Sequence, residues 1–214
     1  MSVKRYSEKL SKAQRNEHRK LGTRTKTMSI TPSASTNQLD EWLANEAAFK
    51  ALIQERVSGS TISKEQALKL SGIDLLRAMK RGEFPFSGIG KTLDFYLAEI
   101  ADGEAIFQGS PGPAHFNPLG GIHGGWYATL LDSAMGCAVH SKMPIGRGYT
   151  TAELSVNLVR AIPPTAVRLR AEGKVIHCGR QLATAEGRLI GPDGILYAHG
   201  TTTCLVFDYP SSKV

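Results

Sequence analysis

Three cysteines in 214 residues are too few, too scattered and odd in number to make a disulfide framework. Cys137, Cys178 and Cys204 include no Cys-x-x-Cys pair, which argues against zinc and for a reducing, cytoplasmic compartment. The six histidines show no ligand spacing either, so neither a metal nor a separate cofactor is expected. No apolar run reaches the length of a membrane span and no secretory apolar segment is seen, so no membrane partner is expected. Aromatics are sparse at 7%, yet the apolar fraction of 41% is enough for a real core.

The folded part also lacks net charge. The chain carries +7, but residues 1–27 hold nine Lys/Arg against Glu8 and Glu17, so all of that excess sits there. What remains is neutral and has no basic footprint, so no nucleic-acid partner is expected. Residues 1–38 have few large apolar side chains and end in a Ser/Thr/Pro/Asn stretch, and they read as a disordered basic tail. Such a tail is a solvated arm, sequence upstream of a start at Met28, or, least in keeping with its lack of an apolar face, a targeting peptide.

Residues 39–90 form a helical extension. Leu39, Trp42, Leu43, Ala47, Phe49, Leu52, Ile53 and Val57 recur at helical intervals, predicting a helix over 39–57. A second helical stretch runs from a Ser63 cap to a stop at Arg81-Gly82. From residue 91 to 208 the texture changes to short strands. Residues 93–100 and 104–109 flank an Ala101-Asp102-Gly103 turn. Strands over 149–160, 166–177, 181–190 and 195–207 follow a single apolar helix, so an antiparallel sheet wrapped around that helix is the economical packing, an α+β fold. In the first of these four strands, Ala152, Leu154, Val156 and Leu158 alternate with Thr151, Glu153, Ser155 and Asn157, which assigns the two sets to opposite faces.

The richest stretch is Asn117 to Asp132, where a glycine-rich loop runs through His123-Gly124-Gly125 into the apolar helix. The helix should begin near His123 or Gly124, and the N–H groups of its first turn, which lack intrahelical partners, suit an oxygen that is gaining negative charge. Asp132 is the oddity: a carboxylate among Leu130, Leu131, Ala134 and Met135 needs compensation, from chemistry or from a nearby backbone N–H. Nine residues separate His123 from Asp132, roughly 13 Å of rise and about 180° of rotation on an ideal helix. If the two cooperate, they do so across a two-fold axis, with the helices of two copies antiparallel.

Four motifs in this order carry a family resemblance: Asn117-x5-His123-Gly124-Gly125, Leu131-Asp132, Thr151-Ala152-Glu153-Leu154 and His177-x-Gly179-Arg180. Together they resemble the hotdog-fold acyl-CoA thioesterases, nearest to the phenylacetate-pathway (PaaI-like) subgroup, over about residues 72–207. The resemblance implies hydrolysis of an acyl-CoA thioester, coenzyme A being part of the substrate, in a homodimer or a dimer of dimers (homotetramer). It implies that Asp132 is the nucleophile or the base for water and that the Gly124 N–H polarises the carbonyl. Asn117 would hold water or the carbonyl region, His123 would shape the loop, and Thr151 would place water or simply fill the strand. Substrate contacts are implied for Gly125, Leu158 and the segment His177, Gly179, Arg180, Gln181 and Leu182, which would follow the pantetheine and phosphates; Arg180 alternatively is a solvated charge. Gly120, Gly121 and Gly125 have plain loop roles as the alternative. Trp126, Tyr127 and Met135 line a pocket or belong to the core.

A second function competes: an acyl-CoA-sensing repressor that binds without cleaving, with a helix-turn-helix starting at Ile62-Ser63-Lys64-Glu65-Gln66-Ala67. The filled Asp132 and glycine positions weigh against it. A hotdog dehydratase would need a differently placed His/Glu or His/Asp pair, which the chain does not show.

Overall fold

The computed structural model describes residues 34–54, 64–84 and 87–209, all within one compact unit, Pro32–Val214. Helix α1 spans Ala34–Gln54. It begins inside the 1–38 stretch expected to be disordered, while residues 1–33 and the expected helical residues 55–57 lie outside the described part. The second helical stretch is two helices: α2 (Lys64–Ala67) and α3 (Gly72–Lys80). The break comes at Ser71, whose hydroxyl caps α3 by accepting from the Asp74 N–H at 3.3 Å. The expected Ser63 cap lies outside the described residues. The expected stop holds, since Arg81 caps the end of α3 and Gly82 follows at φ +70°. A short α4 (Gly88–Thr92) leads to the sheet.

Six antiparallel strands follow: β1 (Phe95–Ala101), β2 (Glu104–Gly109), β3 (Arg147–Leu158), β4 (Leu169–Cys178), β5 (Leu182–Ile190) and β6 (Leu196–Asp208). Their order in the sheet is β1-β2-β4-β5-β6-β3. Between β2 and β3 runs α5, Gly124–Ser141, and the sheet wraps it. This is the expected hotdog architecture. Leu130, Leu131, Ala134, Met135, Ala138 and Val139 of α5 are fully buried against Phe107, Ala171, Ala185, Leu189 and Ala198. Small residues let the sheet close on the helix: a Cβ on Gly173 of β4 would stand 2.4 Å from the Ala134 backbone. The β1–β2 turn tucks against the far end of α5, with Gly103 at φ +78° donating its N–H to Ser141 Oγ at 2.8 Å.

The helical extension is part of this domain. On α3, Leu75, Leu76 and Ala78 are buried, and the Gly72 N–H donates to the Met143 carbonyl at 2.8 Å. A Cβ on Gly72 would fall 1.7 Å from the His140 carbonyl oxygen, so α3 crosses α5 in backbone contact. A helix pressed in this way has its apolar face spent on the domain.

One expectation about β3 changes. The strand has a register shift between Thr151 and Glu153, where Ala152 is the extra residue of a β-bulge. Before the bulge Thr151 pairs with Cys204; after it Leu154 pairs with Thr202, Val156 with Gly200 and Leu158 with Ala198. Cys204, Thr202 and Ala198 are all buried, and residues paired across strands share a face. Thr151 therefore lies on the same, helix-facing side as Leu154, Val156 and Leu158, and not opposite them as unbroken alternation predicts.

Candidate active site

The start of α5 has the form expected. His123 caps it from an extended conformation (φ −65°, ψ 136°), and its Nδ1 accepts from the Gly125 N–H at 2.9 Å. An accepting Nδ1 puts the proton of the neutral ring on Nε2. The ring thus takes up the Gly125 N–H, while the Gly124 N–H has no partner among the described residues. The space above Gly124 is occupied by Leu158, whose Cδ1 would lie 3.0 Å from a Cβ at that position. Gly124 and Leu158, both singled out by sequence, are thus neighbours.

Asn117 organises the approach loop. Its Oδ1 accepts from the Leu119 N–H at 2.9 Å and the Gly121 N–H at 3.2 Å, and its own N–H donates to the Gly121 carbonyl at 2.7 Å. The amide oxygen is thereby committed to the loop. Gly120 takes φ +81°, a conformation that favours glycine.

Two turns along α5, Asp132 is half-buried. Thr151 Oγ1 donates to Asp132 Oδ1 at 3.1 Å, which the bulge at Ala152 makes possible. Asp132 and Ser133 border a cavity of about 240 Å³, together with Leu97, Phe107 and Tyr149 of the sheet. A carboxylate facing this chamber with one hydroxyl donor on it can take a proton from water or attack a carbonyl. Cys137, in the same wall, is held protonated by burial first and by the nearby Asp132 charge second, which push its thiol up to about 12. It is no competing nucleophile.

The hairpin between β4 and β5 lies in the same cross-strand row as Asp132's partner, since Thr151 pairs with Cys204, Cys204 with Ala183, and Ala183 with Cys178. The Gly179 N–H donates to the Leu182 carbonyl at 2.8 Å, the Val206 N–H to the Gln181 carbonyl at 2.9 Å, and Arg147 to the Arg180 carbonyl. The His177 ring lies over Gly179, its Nε2 standing 2.9 Å from where a Cβ would be. His177, Arg180, Gln181 and Leu182 are exposed.

Some predicted residues are not brought together. The continuous α5 keeps His123 and Gly124 at one end and Asp132 in the middle, and Gly124 to Asp132 is roughly 12 Å of helical rise. Trp126, Tyr127 and Met135 belong to the core, at 2%, 4% and 0% exposure. The Trp126 indole donates to the Leu93 carbonyl at 3.0 Å, and the Tyr127 hydroxyl accepts from the Ile162 N–H at 2.8 Å. The chamber walls are instead Phe49, Leu76, Met79, Ile89, Leu97 and Phe107, which sequence reasoning did not single out as site residues. Their apolar periodicity is the same whether they line a core or a cavity. Among the described residues no three His, Cys, Asp or Glu side chains group as metal ligands, and no helix is long and apolar enough to cross a membrane.

Comparison with known proteins agrees with the fold. Residues 119–198 match the family model of the Thioesterase superfamily. The matched segment takes in α5, β3, β4 and β5. A Halobacterium salinarum protein, provisionally named an esterase, is 35% identical over 75 residues, 34% of this chain and 48% of its own length. The chain thus spans about half the length of that curated relative. A phenylacetic acid degradation-related protein from Ralstonia eutropha, provisionally named a thioesterase, superposes with a TM-score of 0.55 at 26% identity, over 61% of this chain and 98% of the other. A hypothetical thioesterase from Streptococcus pneumoniae, solved with coenzyme A, shares the fold at TM-score 0.51 and 23% identity, over 56% and 92% of the two chains.

Proposed function

We propose that this protein hydrolyses acyl-CoA thioesters to a carboxylic acid and coenzyme A, at sites shared between two copies of the chain. The observation that carries this reading is Asp132, a carboxylate on a buried helix, held by Thr151 and facing an apolar chamber. As base, Asp132 takes a proton from water while the water oxygen bonds to the thioester carbonyl carbon. The oxyanion so formed is stabilised by an unpartnered helix-start N–H, that of Gly124. Its collapse breaks the C–S bond, and the proton passes from Asp132 to the departing thiolate. As nucleophile, Asp132 would bond to the carbonyl carbon and expel the CoA thiolate, leaving an anhydride that water then opens, the water proton passing to the thiolate. A thioester is activated enough for either route without a serine or cysteine nucleophile.

Sharing between copies follows from the spacing along α5, which separates Gly124 from Asp132 in one chain. It is further supported by the sheet's β3 edge, where Leu154, Leu158 and Val159 are exposed and an unpaired strand edge invites a second copy. The exposed hairpin with His177, Gly179, Arg180, Gln181 and Leu182 is the proposed track for the coenzyme's pantetheine and phosphates. Coenzyme A is the molecule solved with the Streptococcus protein of this fold.

The test is Asp132→Asn, which keeps shape and removes charge. Free-thiol release from acyl-CoA should fall at least about a hundredfold with the fold intact. Near wild-type turnover by the purified variant would refute the mechanism.

A further inference from the structure

We propose that the helical extension closes the acyl chamber within the same chain, and that Phe49 of α1 sets the size of the apolar acyl group accepted. The inference rests on the acyl-CoA reading above and names its substrate class. The chamber beside Asp132 has Leu97 and Phe107 of the sheet on one side and Leu76 and Met79 of α3 on another, and Phe49 completes the enclosure. None of these five residues falls within the matched segment 119–198, so the chamber is finished by parts of the chain outside it.

Phe49 is placed by an anchored helix. Tyr96, Gln108 and Arg170 form a cross-strand row on the face of the sheet away from α5, and α1 is fastened to this row. Trp42 is 2% exposed, its carbonyl accepts from Gln108 Nε2 at 3.0 Å, and the Arg170 guanidinium sits 4.5 Å from its ring centre. One turn on, Glu46 is buried and paired with Arg168 and with Lys50 at 2.6 Å. The Phe49 ring then stacks on Tyr96 at 4.4 Å and 16°. Because β1 is an edge strand, a ring on Tyr96 that also borders the chamber must sit where α1 rounds that edge. Its position is fixed by the polar clamp behind it.

The chamber chemistry defines the acyl group. Its deep walls are apolar, and besides Asp132 the charged group bordering it is Lys80, which is exposed and therefore at the mouth. A volume of about 240 Å³ lies below the roughly 300–1,000 Å³ of sites for drug-sized ligands. A chamber of that volume suits a short aliphatic or single-ring acyl.

The experiment is a series of CoA esters from acetyl to palmitoyl, with phenylacetyl, followed by thiol release. Wild-type kcat/KM should peak among short or single-ring esters and fall steeply for longer ones. Phe49→Ala should raise the ratio of long- to short-ester kcat/KM at least about tenfold, the scale that one or two methylenes carry in an apolar pocket. Phe49→Trp should shift it the other way. Met79→Ala, on α3 of the same extension, should widen acceptance as Phe49→Ala does, and it serves if Phe49→Ala fails to fold. Wild-type turnover with a profile that none of these variants changes overturns this inference and leaves the proposed function standing. No turnover of any ester by the wild type sinks both.

Discussion

At the scale of single residues, the site depends on how few groups are left free. His123 occupies the Gly125 N–H and Asn117 occupies those of Leu119 and Gly121, while the Gly124 N–H has no partner among the described residues. Asp132 has one side-chain donor, Thr151, at 3.1 Å. That hydroxyl holds the carboxylate in one rotamer, so its removal should act on turnover more than on binding. Thr151→Val is expected to lower kcat about tenfold, since hydrogen bonds to charged groups contribute on the order of 1.5–3 kcal/mol, with KM little changed. Thr151→Ser should restore most of the loss. A rise in KM at constant kcat would show that Thr151 serves binding instead.

Among elements, α1 is the least expected contributor. Its dock depends on an ionised Glu46. Burial alone raises the Glu46 pKa, but hydrogen bonds and charges from Arg168 and Lys50 together outweigh it and hold the carboxyl below its ordinary 4.5. A pKa depressed by folding means stability that is present above the unfolded value and lost as pH falls through the folded one. Docking of α1 should therefore weaken in acid, below pH 4.5, and not on the alkaline side. The difference in emission between the protein and its Trp42→Phe variant reports on Trp42 and should shift to the red on acidification. In a Glu46→Gln background this shift should be absent. A red shift on acidification that is just as large in Glu46→Gln would show that the ion pair does not hold the helix.

For the whole molecule, the decisive prediction is complementation. If the Gly124 N–H of one copy serves the Asp132 of the other, Asp132→Asn and Gly124→Pro chains are each inactive alone. In a mixed dimer both lesions fall in one site and the other site is intact. Reassorted heterodimers should then regain up to half of the wild-type sites, a consequence of two-fold symmetry. Confirmed heterodimers without activity would rule out a shared site. The exposed Leu154 and Leu158 on β3 and Val159 just after it are the surface expected to be covered in such a dimer.

What the sequence determined by itself was local. The helix start at His123, the hairpin turn at Gly103, the stop at Gly82 and the succession of strands along the chain all follow from caps, glycines and apolar periods, whose physics spans a few residues. The same locality made Asp132 conspicuous, as a charge on an apolar helix face. What only the tertiary structure decided depends on residues far apart in the chain. Alternation put Thr151 on the wrong face, because the bulge at Ala152 is a matter of pairing with β6 and leaves no mark in β3's own pattern. Helix α1 read as an ordinary amphipathic helix, yet its partners Gln108, Arg168 and Arg170 lie more than sixty residues away. Their meeting is what carries Phe49 to the chamber. Trp126 and Tyr127 went to the core for the converse reason: their polar atoms found Leu93 and Ile162, partners that an apolar period cannot announce.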